Sequence, residues 1–181
     1  RGLHQDGVAD TLDGLAGGRT PAERLAIMRD GRIGALGATG LVVILLLRYA
    51  GFTALLGADE WQAGGWMVLL CMPVIGRSAM VLGTVVAPYA RPEGGLGAPF
   101  LAGVTWQDVA WAVVVAGGVL LGFLGLAGFC VGIALAVGVA WGIGIMARRL
   151  LGGITGDTLG AVNELAETLF LLAGPFLLTW Q

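Results

Sequence analysis

The feature that most limits the fold is an apolar run over about residues 108–147. After Asp108 the run carries no charged side chain, and glycine is its only residue outside the hydrophobic set. One straight α-helix over these ~40 positions would be roughly 60 Å long, about twice the thickness of a bilayer's hydrocarbon core. The run must therefore turn, and the glycines at 122–128 indicate where. We expect two membrane spans, at about 108–124 and 127–147.

Three further apolar segments, at about 33–56, 64–87 and 158–180, are long enough to cross a bilayer. The whole chain is 57% hydrophobic and 12% charged, with a mean hydropathy of +0.87, whereas soluble domains are about 25% charged. We therefore predict an all-α fold: a polytopic integral membrane protein with about five transmembrane helices. Residues 1–181 form a single membrane domain in this interpretation.

Residues 1–32 are predicted to form an N-terminal interfacial helical segment, ahead of the transmembrane helices at 33–180. A first helix spans about 4–16, and an amphipathic helix follows at about 21–30. Thr20-Pro21-Ala22-Glu23 is typical of a helix start, with Thr as the cap and Pro in the first turn. Because the chain begins at Arg1 without Met, we expect an N-terminally truncated fragment.

The first helix carries an unusual group of acids. Asp6, Asp10 and Asp13 are spaced four and then three residues apart, so they lie on one helical face. Three neighbouring carboxylates repel one another, and a divalent cation would relieve that repulsion. Hard oxygen ligands of this kind suit Mg²⁺ or Mn²⁺, especially when phosphate completes the coordination. A solvated acidic surface is the alternative.

Charged residues also occur within the predicted spans. Arg48 would extend toward the headgroups from the outer half of the first span. Arg77 lies near the middle of the second span, where a charge usually faces a protein cavity. We favour an anion or carboxylate partner in a site for Arg77, with a structural intramembrane salt bridge as the alternative. Asp157 ends a glycine-rich turn and shares a helical face with Glu164. A shared cation would account for both acids at these positions, and a role as helix cap is the alternative for Asp157.

The distribution of arginines predicts the orientation. Arg29 and Arg32, Arg91, and the Arg148-Arg149 pair all fall on one side of a five-span chain, which the positive-inside rule assigns to the cytoplasm. The acidic helix and the Asp157 turn share that side. A net charge of −2 gives no sign of a nucleic-acid partner. Small-residue faces on the spans would allow homo-oligomer packing.

Five blocks of this chain together form a recognisable pattern: His4 to Gly14, Ile27 to Gly34, Gly76 to Met80, Pro88 to Arg91 with Gly95-Leu96-Gly97, and Gly153 to Ala161 with Glu164. In this order they resemble motifs of the cobalamin synthase (adenosylcobinamide-GDP ribazoletransferase) family. The departures are small: Val8 stands where the family usually has Leu, and Gly31 where it usually has Ser. Family members carry a further N-terminal membrane segment.

The resemblance implies the last step of adenosylcobalamin (vitamin B12) biosynthesis. A transferase of the cytoplasmic (inner) membrane joins α-ribazole, or its 5′-phosphate, to adenosylcobinamide-GDP and releases GMP with Mg²⁺. We assign roles on this basis. Asp6, Asp10, Asp13 and Asp157 are the metal ligands; Arg29, Arg32, Arg77 and Arg91 bind phosphate or nucleotide, with Glu164 as a further substrate-binding residue; Asp30 is the general base and His4 the alternative base.

Three other functions are compatible with parts of the pattern. A CDP-alcohol phosphotransferase of phospholipid synthesis also opens with Asp-Gly-x-x-Ala, as in Asp6 to Ala9, but Asp10 occupies the position where that family has Arg. A small cation-coupled transporter would distribute acids through the membrane depth, and only Glu164 and Glu167 fit that expectation. A non-catalytic membrane assembly subunit would leave the three clustered aspartates unexplained.

Overall fold

The computed structural model describes residues 2–91, 93–94, 97–101 and 103–179. This part of the chain is helical and contains no strand, only an isolated parallel bridge between Tyr89 and Ile154. A π-helical turn at Trp61–Gly65 leads into the fifth α-helix. The α-helices are α1 (Leu3–Gly17), α2 (Pro21–Ile27), α3 (Ala35–Leu55), α4 (Ala58–Glu60), α5 (Trp66–Val86), α6 (Ala98–Leu101), α7 (Trp106–Leu151) and α8 (Gly156–Leu178).

Four helical segments in the described residues are long and apolar enough to cross a membrane. They are Ala35–Leu55, Trp61–Val86, Trp106–Leu151 and Gly156–Leu178, with window hydropathies between 1.4 and 2.4. The predicted all-α polytopic membrane class is therefore confirmed. Whether the chain has the predicted five spans depends on whether the 46-residue helix α7 crosses the membrane once or twice.

Helix α7 reverses direction at Gly125. This residue has φ 61° and ψ −161°, a conformation that is essentially restricted to glycine. A Cβ atom built on Gly117 would lie 2.9 Å from the Phe129 ring, and one built on Gly132 would lie 2.8 Å from Leu120. Residues 12 apart in a straight helix are separated by about 18 Å. The two halves of α7 therefore pack against each other, which gives five passes in the described part of the chain and agrees with the turn predicted at 122–128.

The interfacial segment begins as the sequence predicts. The Thr20 hydroxyl accepts a hydrogen bond from the Glu23 N–H at 3.3 Å, and Glu23 Oε2 accepts one from the Thr20 N–H at 3.3 Å, which together form a capping box. Helix α2 ends at Ile27, three residues earlier than predicted. The following residues, 28–34, form turns, bends and irregular backbone.

Helix α8 is the central element of the bundle. It buries 61% of its most apolar window, compared with 17% for α3, and it contacts α1, α3, α5 and α7. Phe170 and Leu171 of α8 are fully buried in the main core with Leu55, Ile75 and Leu120. The outer face of α3 is instead apolar and exposed, as a lipid-facing helix requires.

Close backbone packing places α1 against the first turns of α8. A Cβ atom built on Gly7 would lie 2.6 Å from the Asp157 carbonyl oxygen, and one built on Gly160 would lie 3.2 Å from the His4 Cα. Because both positions lack a side chain, the two backbones can approach this closely. The acidic helix is thereby fixed beside Asp157.

Candidate active site

Two turns of α1 line a polar cleft of about 250 Å³, which we call the acidic cleft. Helix α1 contributes Asp6, Ala9 and Asp10, and the segment from Met28 to Ile33 forms the opposite wall. Five of the predicted site residues therefore meet here, although they come from two segments of the chain. They are Asp6, Asp10, Arg29, Asp30 and Arg32.

Asp157 and Arg91 lie next to the acidic helix. The Arg91 Nη2 donates to Asp157 Oδ2 at 2.8 Å. The loop that carries Arg91 is held in place because the Ala90 N–H donates to the Ile154 carbonyl and the Ile154 N–H donates to the Pro88 carbonyl, both at 2.8 Å. The structure thus confirms that the Arg91 loop and the Asp157 turn converge. Gly95 and Leu96 of the same motif lie outside the described residues.

The charges around Asp10 act against its ionisation. Burial, followed by the charges of Asp6 and Asp157 and by a smaller effect of Asp13, raises the pKa of Asp10 to about 6, and Arg91 acts in the opposite direction. Asp6, Asp10 and Asp157 therefore lie close enough to interact electrostatically. A bound cation would lower the free energy of this arrangement.

Asp13 has a structural partner that the sequence did not indicate. Its Oδ2 accepts a hydrogen bond from the Gly34 N–H at 2.6 Å, and its Oδ1 accepts one from the Gly37 N–H at 2.8 Å. Gly34 has no capping side chain of its own, so Asp13 caps α3 from another helix. Its assignment as a metal ligand stays a prediction, and both oxygens already accept hydrogen bonds.

The fit to Mg²⁺ rests on two or three carboxylates. Within the part of the chain that the structure describes, no three His, Cys, Asp or Glu side chains are gathered into a ready metal-binding group. Mg²⁺ does not require one, because it usually binds through one or two carboxylates together with substrate phosphates and water. Asp6 and Asp10 on adjacent turns, with Asp157 beside them, fit that donor set. Magnesium itself stays a prediction.

Asp30, the predicted base, is paired with an arginine. Arg32 donates from Nε to Asp30 Oδ1 at 3.0 Å and from Nη2 to Oδ2 at 2.6 Å. These hydrogen bonds lower the pKa of the exposed Asp30, which makes it a weaker proton acceptor. Arg29 pairs with Glu93 of the Arg91 loop. Arg29 and Arg32, both predicted to bind phosphate, are therefore paired with carboxylates in this structure.

His4, the alternative base, lies on the opposite side of α1. It lines a second polar cleft of about 340 Å³, which we call the intramembrane cleft, instead of the acidic cleft. Its Nδ1 is 4.0 Å from Glu164 Oε1. Burial, then the charge of Arg77, lowers the pKa of His4. The histidine and the acidic face point apart because residues 4 and 6 differ by about 200° around the helix.

An ion-pair network at the depth of the spans borders the intramembrane cleft. Arg48 Nη1 is 3.1 Å from Glu164 Oε2, and Arg48 also pairs with Glu167. Its side chain is only 13% exposed, so the expectation that Arg48 extends toward the headgroups is wrong. Arg77 contacts Asn163 and lies 3.7 Å from Glu167.

Asn163 and the pairing of Arg48 with Glu167 were not predicted from the sequence. Asn163 Nδ2 donates to Glu167 Oε1 at 3.0 Å, so the two side chains form one polar surface on α8. The available signal was the presence of Asn163, Glu164 and Glu167 within five positions of an apolar helix. Three polar side chains on one face of a span indicate partners inside the bundle.

Comparisons with known proteins assign a family. The family model described as cobalamin-5-phosphate synthase matches residues 1–174. Proteins named adenosylcobinamide-GDP ribazoletransferase are similar to this chain: that of Syntrophobacter fumaroxidans is 40% identical, over 96% of this chain and 67% of the relative. That of Geotalea daltonii is 43% identical, over 94% and 66%.

The same name is given to the relative from Desulforamulus reducens, which is 40% identical over 92% of this chain and 64% of its own length. The chain thus spans about two thirds of the length of the curated relatives it matches. No solved structure matches it.

Proposed function

The chain belongs to the cobalamin-5-phosphate synthase family, and from this premise we propose that it catalyses the final assembly step of adenosylcobalamin. The transferase joins α-ribazole, or its 5′-phosphate, to adenosylcobinamide-GDP and releases GMP. The relatives' name supports this reaction. The family match over residues 1–174 also disfavours the CDP-alcohol phosphotransferase and transporter functions.

The proposed chemistry is an in-line substitution at phosphorus. A ribazole oxygen attacks the cobinamide-side phosphorus of the diphosphate, a new P–O bond forms, and the P–O bond to GMP breaks. The attacking hydroxyl loses its proton to an acceptor in the cleft. Such reactions depend on charge neutralisation and alignment more than on covalent assistance from the protein.

One observation carries the proposal: Asp6, Asp10 and Asp157 converge with Arg29, Arg32 and Arg91 at one end of the bundle. Asp6, Asp10 and Asp157 would hold Mg²⁺, and Asp13 would serve α3. Bound Mg²⁺ would neutralise diphosphate charge and polarise the phosphorus that is attacked.

The arginines and Asp30 supply the remaining roles. Arg29 and Arg32 each pair with an exposed carboxylate, and a diphosphate would compete for both guanidinium groups. When Arg32 turns to phosphate, Asp30 loses the side-chain hydrogen bonds from Arg32, the largest cause of its lowered pKa, and keeps the one from the Arg32 backbone N–H. The carboxylate then becomes a better proton acceptor at the moment when substrate is bound.

The protein is a multi-pass membrane protein with its acidic cleft facing the cytoplasm in this proposal. The arginine distribution supports that orientation. A cleft that faces the cytoplasm has access to the nucleotides there. The lipid bilayer and the two substrates are the proposed partners. Homo-oligomer packing stays a prediction.

The decisive experiment measures GMP release. The protein in lipid nanodiscs receives adenosylcobinamide-GDP, α-ribazole and Mg²⁺, and GMP is quantified for wild type, Asp10→Asn and Asp59→Asn. We expect ribazole-dependent release from wild type, a loss of about 100-fold or more in Asp10→Asn, and a change below twofold for Asp59→Asn, since Asp59 is exposed and outside the cleft. No release from folded wild type contradicts the proposed function.

A further inference from the structure

One arginine lines an apolar groove at the depth of the membrane spans. Arg77 lies at the middle of α5, yet 57% of its side chain is exposed. Its contacts with Asn163, Met80 and Glu167 all use Nη1. Nε and Nη2 make no hydrogen bond with the described residues. A guanidinium at this depth requires acceptors for its remaining N–H groups.

The acidic side chains nearest to Arg77 do not supply those acceptors. Glu167 Oε1 lies 3.7 Å from Arg77 Nη1, beyond hydrogen-bond distance. Glu164 and Glu167 both pair with Arg48, and their side chains are only 3% and 8% exposed. The cluster has two positive and two negative side chains, but the acids are buried beside Arg48 while Arg77 is exposed. The outer side of the cluster is therefore positive.

The groove beside Arg77 has no acidic side chain among its described lining residues. It has a volume of about 520 Å³ and lies between α5 and the first half of α7. Arg77 and Ser78 are its polar lining residues, and the other walls are apolar, with Val81 and Trp111 among them. An anion in the groove would be attracted by Arg77 without a carboxylate in the same walls to oppose it.

The groove has the position and length expected for one lipid chain. Its two walls belong to candidate membrane spans, and Trp111 and Val115 are 68% and 57% exposed, so it opens toward the bilayer. On α5 it extends from Pro73 to Val81, which is about 12 Å along a helix. One leaflet of the hydrocarbon core is about 15 Å thick.

The polar end of such a lipid would lie near Arg77. Helix α5 ends and α7 begins on either side of the Arg91 loop, so Val81 and Trp111 mark the end of the groove nearest to the membrane surface. Tryptophan is enriched at that interfacial level. Arg77 is one helical turn deeper than Val81. A long arginine side chain and local thinning of the bilayer bring a lipid phosphate and a guanidinium together over such a distance.

We propose that this groove binds one anionic glycerophospholipid, with its phosphate on Arg77 and an acyl chain against Trp111 and Val115. Nε and Nη2 of Arg77 donate to two phosphate oxygens, a geometry that the planar guanidinium favours. The acyl chain covers the apolar walls. Arg77 lies outside the acidic cleft, and it binds the phosphate of a lipid instead of the substrate phosphate that the sequence suggested.

The first test compares two lipids on the wild-type protein. Native mass spectrometry of the delipidated protein in detergent measures the Kd of phosphatidylglycerol and that of diacylglycerol with the same acyl chains, which lacks the phosphate. We expect phosphatidylglycerol to bind about tenfold more tightly, because only its phosphate accepts charge-assisted hydrogen bonds from Arg77. Equal Kd values for the two lipids overturn the proposal.

Two variants then locate the site. Arg77→Met removes the donors and should raise the Kd of phosphatidylglycerol about tenfold. Trp111→Ala removes an apolar wall and should raise it about threefold. The matched controls are Arg148→Met, at the exposed end of α7, and Trp141→Ala, since Trp141 is 59% exposed and does not line the groove. Both controls should change Kd less than twofold.

An affinity in folded Arg77→Met equal to that of Arg148→Met overturns the proposal, and so does an unchanged Kd in Trp111→Ala. If Arg77→Met does not fold, the comparison of lipids and the exposed Trp111 still decide the question. The measurements contain neither substrate of the proposed reaction. Failure of GMP release therefore leaves a positive lipid result standing, and GMP release with lipid binding that ignores these changes refutes this inference alone.

Discussion

At the scale of single residues, Asp10 is held in surroundings that disfavour its charge. Burial and the neighbouring Asp6 and Asp157 raise its pKa to about 6. A raised pKa in the folded state means that the contribution of Asp10 to stability is fully present below its ordinary pKa near 4. That contribution is lost as the pH rises through about 6. At neutral pH the metal-free fold therefore carries an electrostatic penalty at this site.

We expect Asp10→Asn to stabilise the metal-free protein at pH 7.5 while abolishing activity. The gain in Tm should be about 2 °C, a small value because the carboxylate is partly exposed to solvent, and it should shrink at pH 5. Differential scanning fluorimetry with EDTA measures it, with Asp59→Asn as the control. Mg²⁺ should then raise the Tm of wild type but not of Asp10→Asn. A mutant that is less stable than wild type in EDTA at pH 7.5 would refute this account.

Residue spacing predicted correctly which side chains lie together when all of them are on one helix. Asp6 and Asp10 share a cleft as predicted because they are four residues apart on α1. Arg48 could not be placed in this way, since its partners lie on α8, more than a hundred positions later in the chain. An inward-facing arginine and a headgroup-facing arginine look the same in a sequence until the opposite helix is known.

At the scale of helices, variants of Asp13 test whether its carboxylate caps α3 or binds the metal. It accepts hydrogen bonds from the Gly34 and Gly37 N–H groups at the start of α3. We expect Asp13→Asn, which keeps a side-chain acceptor, to retain at least a third of wild-type activity. Asp13→Ala should lower the free energy of unfolding by about 1–2 kcal/mol. Denaturant unfolding and GMP release measure the two effects.

Glu23→Ala serves as the matched control, because it removes a capping interaction at the start of α2 and leaves the start of α3 unchanged. If Asp13→Asn loses as much activity as Asp10→Asn while its own stability is unchanged, Asp13 is a metal ligand after all. The sequence did not distinguish these roles because one carboxylate can cap a helix or bind Mg²⁺, and Asp13 is 21 positions away from Gly34.

The helices themselves followed from hydropathy and local signals. Four long apolar helices and the capping box at Thr20 appear where they were expected, because a bilayer permits few alternatives to a helix. The turn within α7 was also predicted, from the length of the apolar run and from the glycines at 122–128. Gly125 could be picked from several nearby glycines only once its positive φ was known.

At the scale of the whole molecule, the arrangement predicts which ends of the helices face the cytoplasm. The acidic cleft and the Asp157 turn lie at one end of the bundle, and the α7 reversal at Gly125 separates two passes at the other end. Cysteine labelling of intact cells tests this. We expect a membrane-impermeant maleimide to label Leu126→Cys, since Leu126 is 70% exposed, but to label Arg19→Cys only after lysis.

The background for labelling is Cys71→Ser with Cys130→Ser, which removes both native thiols. Labelling of Arg19→Cys before lysis, together with protection of Leu126→Cys, would reverse the proposed orientation. Failure of both to react after lysis would instead show that the two positions are covered in the native membrane. The arginine distribution alone supports the orientation in the sequence, so this measurement adds an independent observation.

The ion pairs of α8 also bear on how the protein enters the membrane during synthesis. A charged residue at the centre of a helix raises the apparent free energy of insertion by about 2.5–3.5 kcal/mol, and α8 has the lowest hydropathy of the four candidate spans, 1.4. Its cationic partners, Arg48 and Arg77, stand on helices that the ribosome makes earlier. Helix α8 therefore inserts beside arginines that are already in place, and until it does, Arg48 and Arg77 lack these acidic partners.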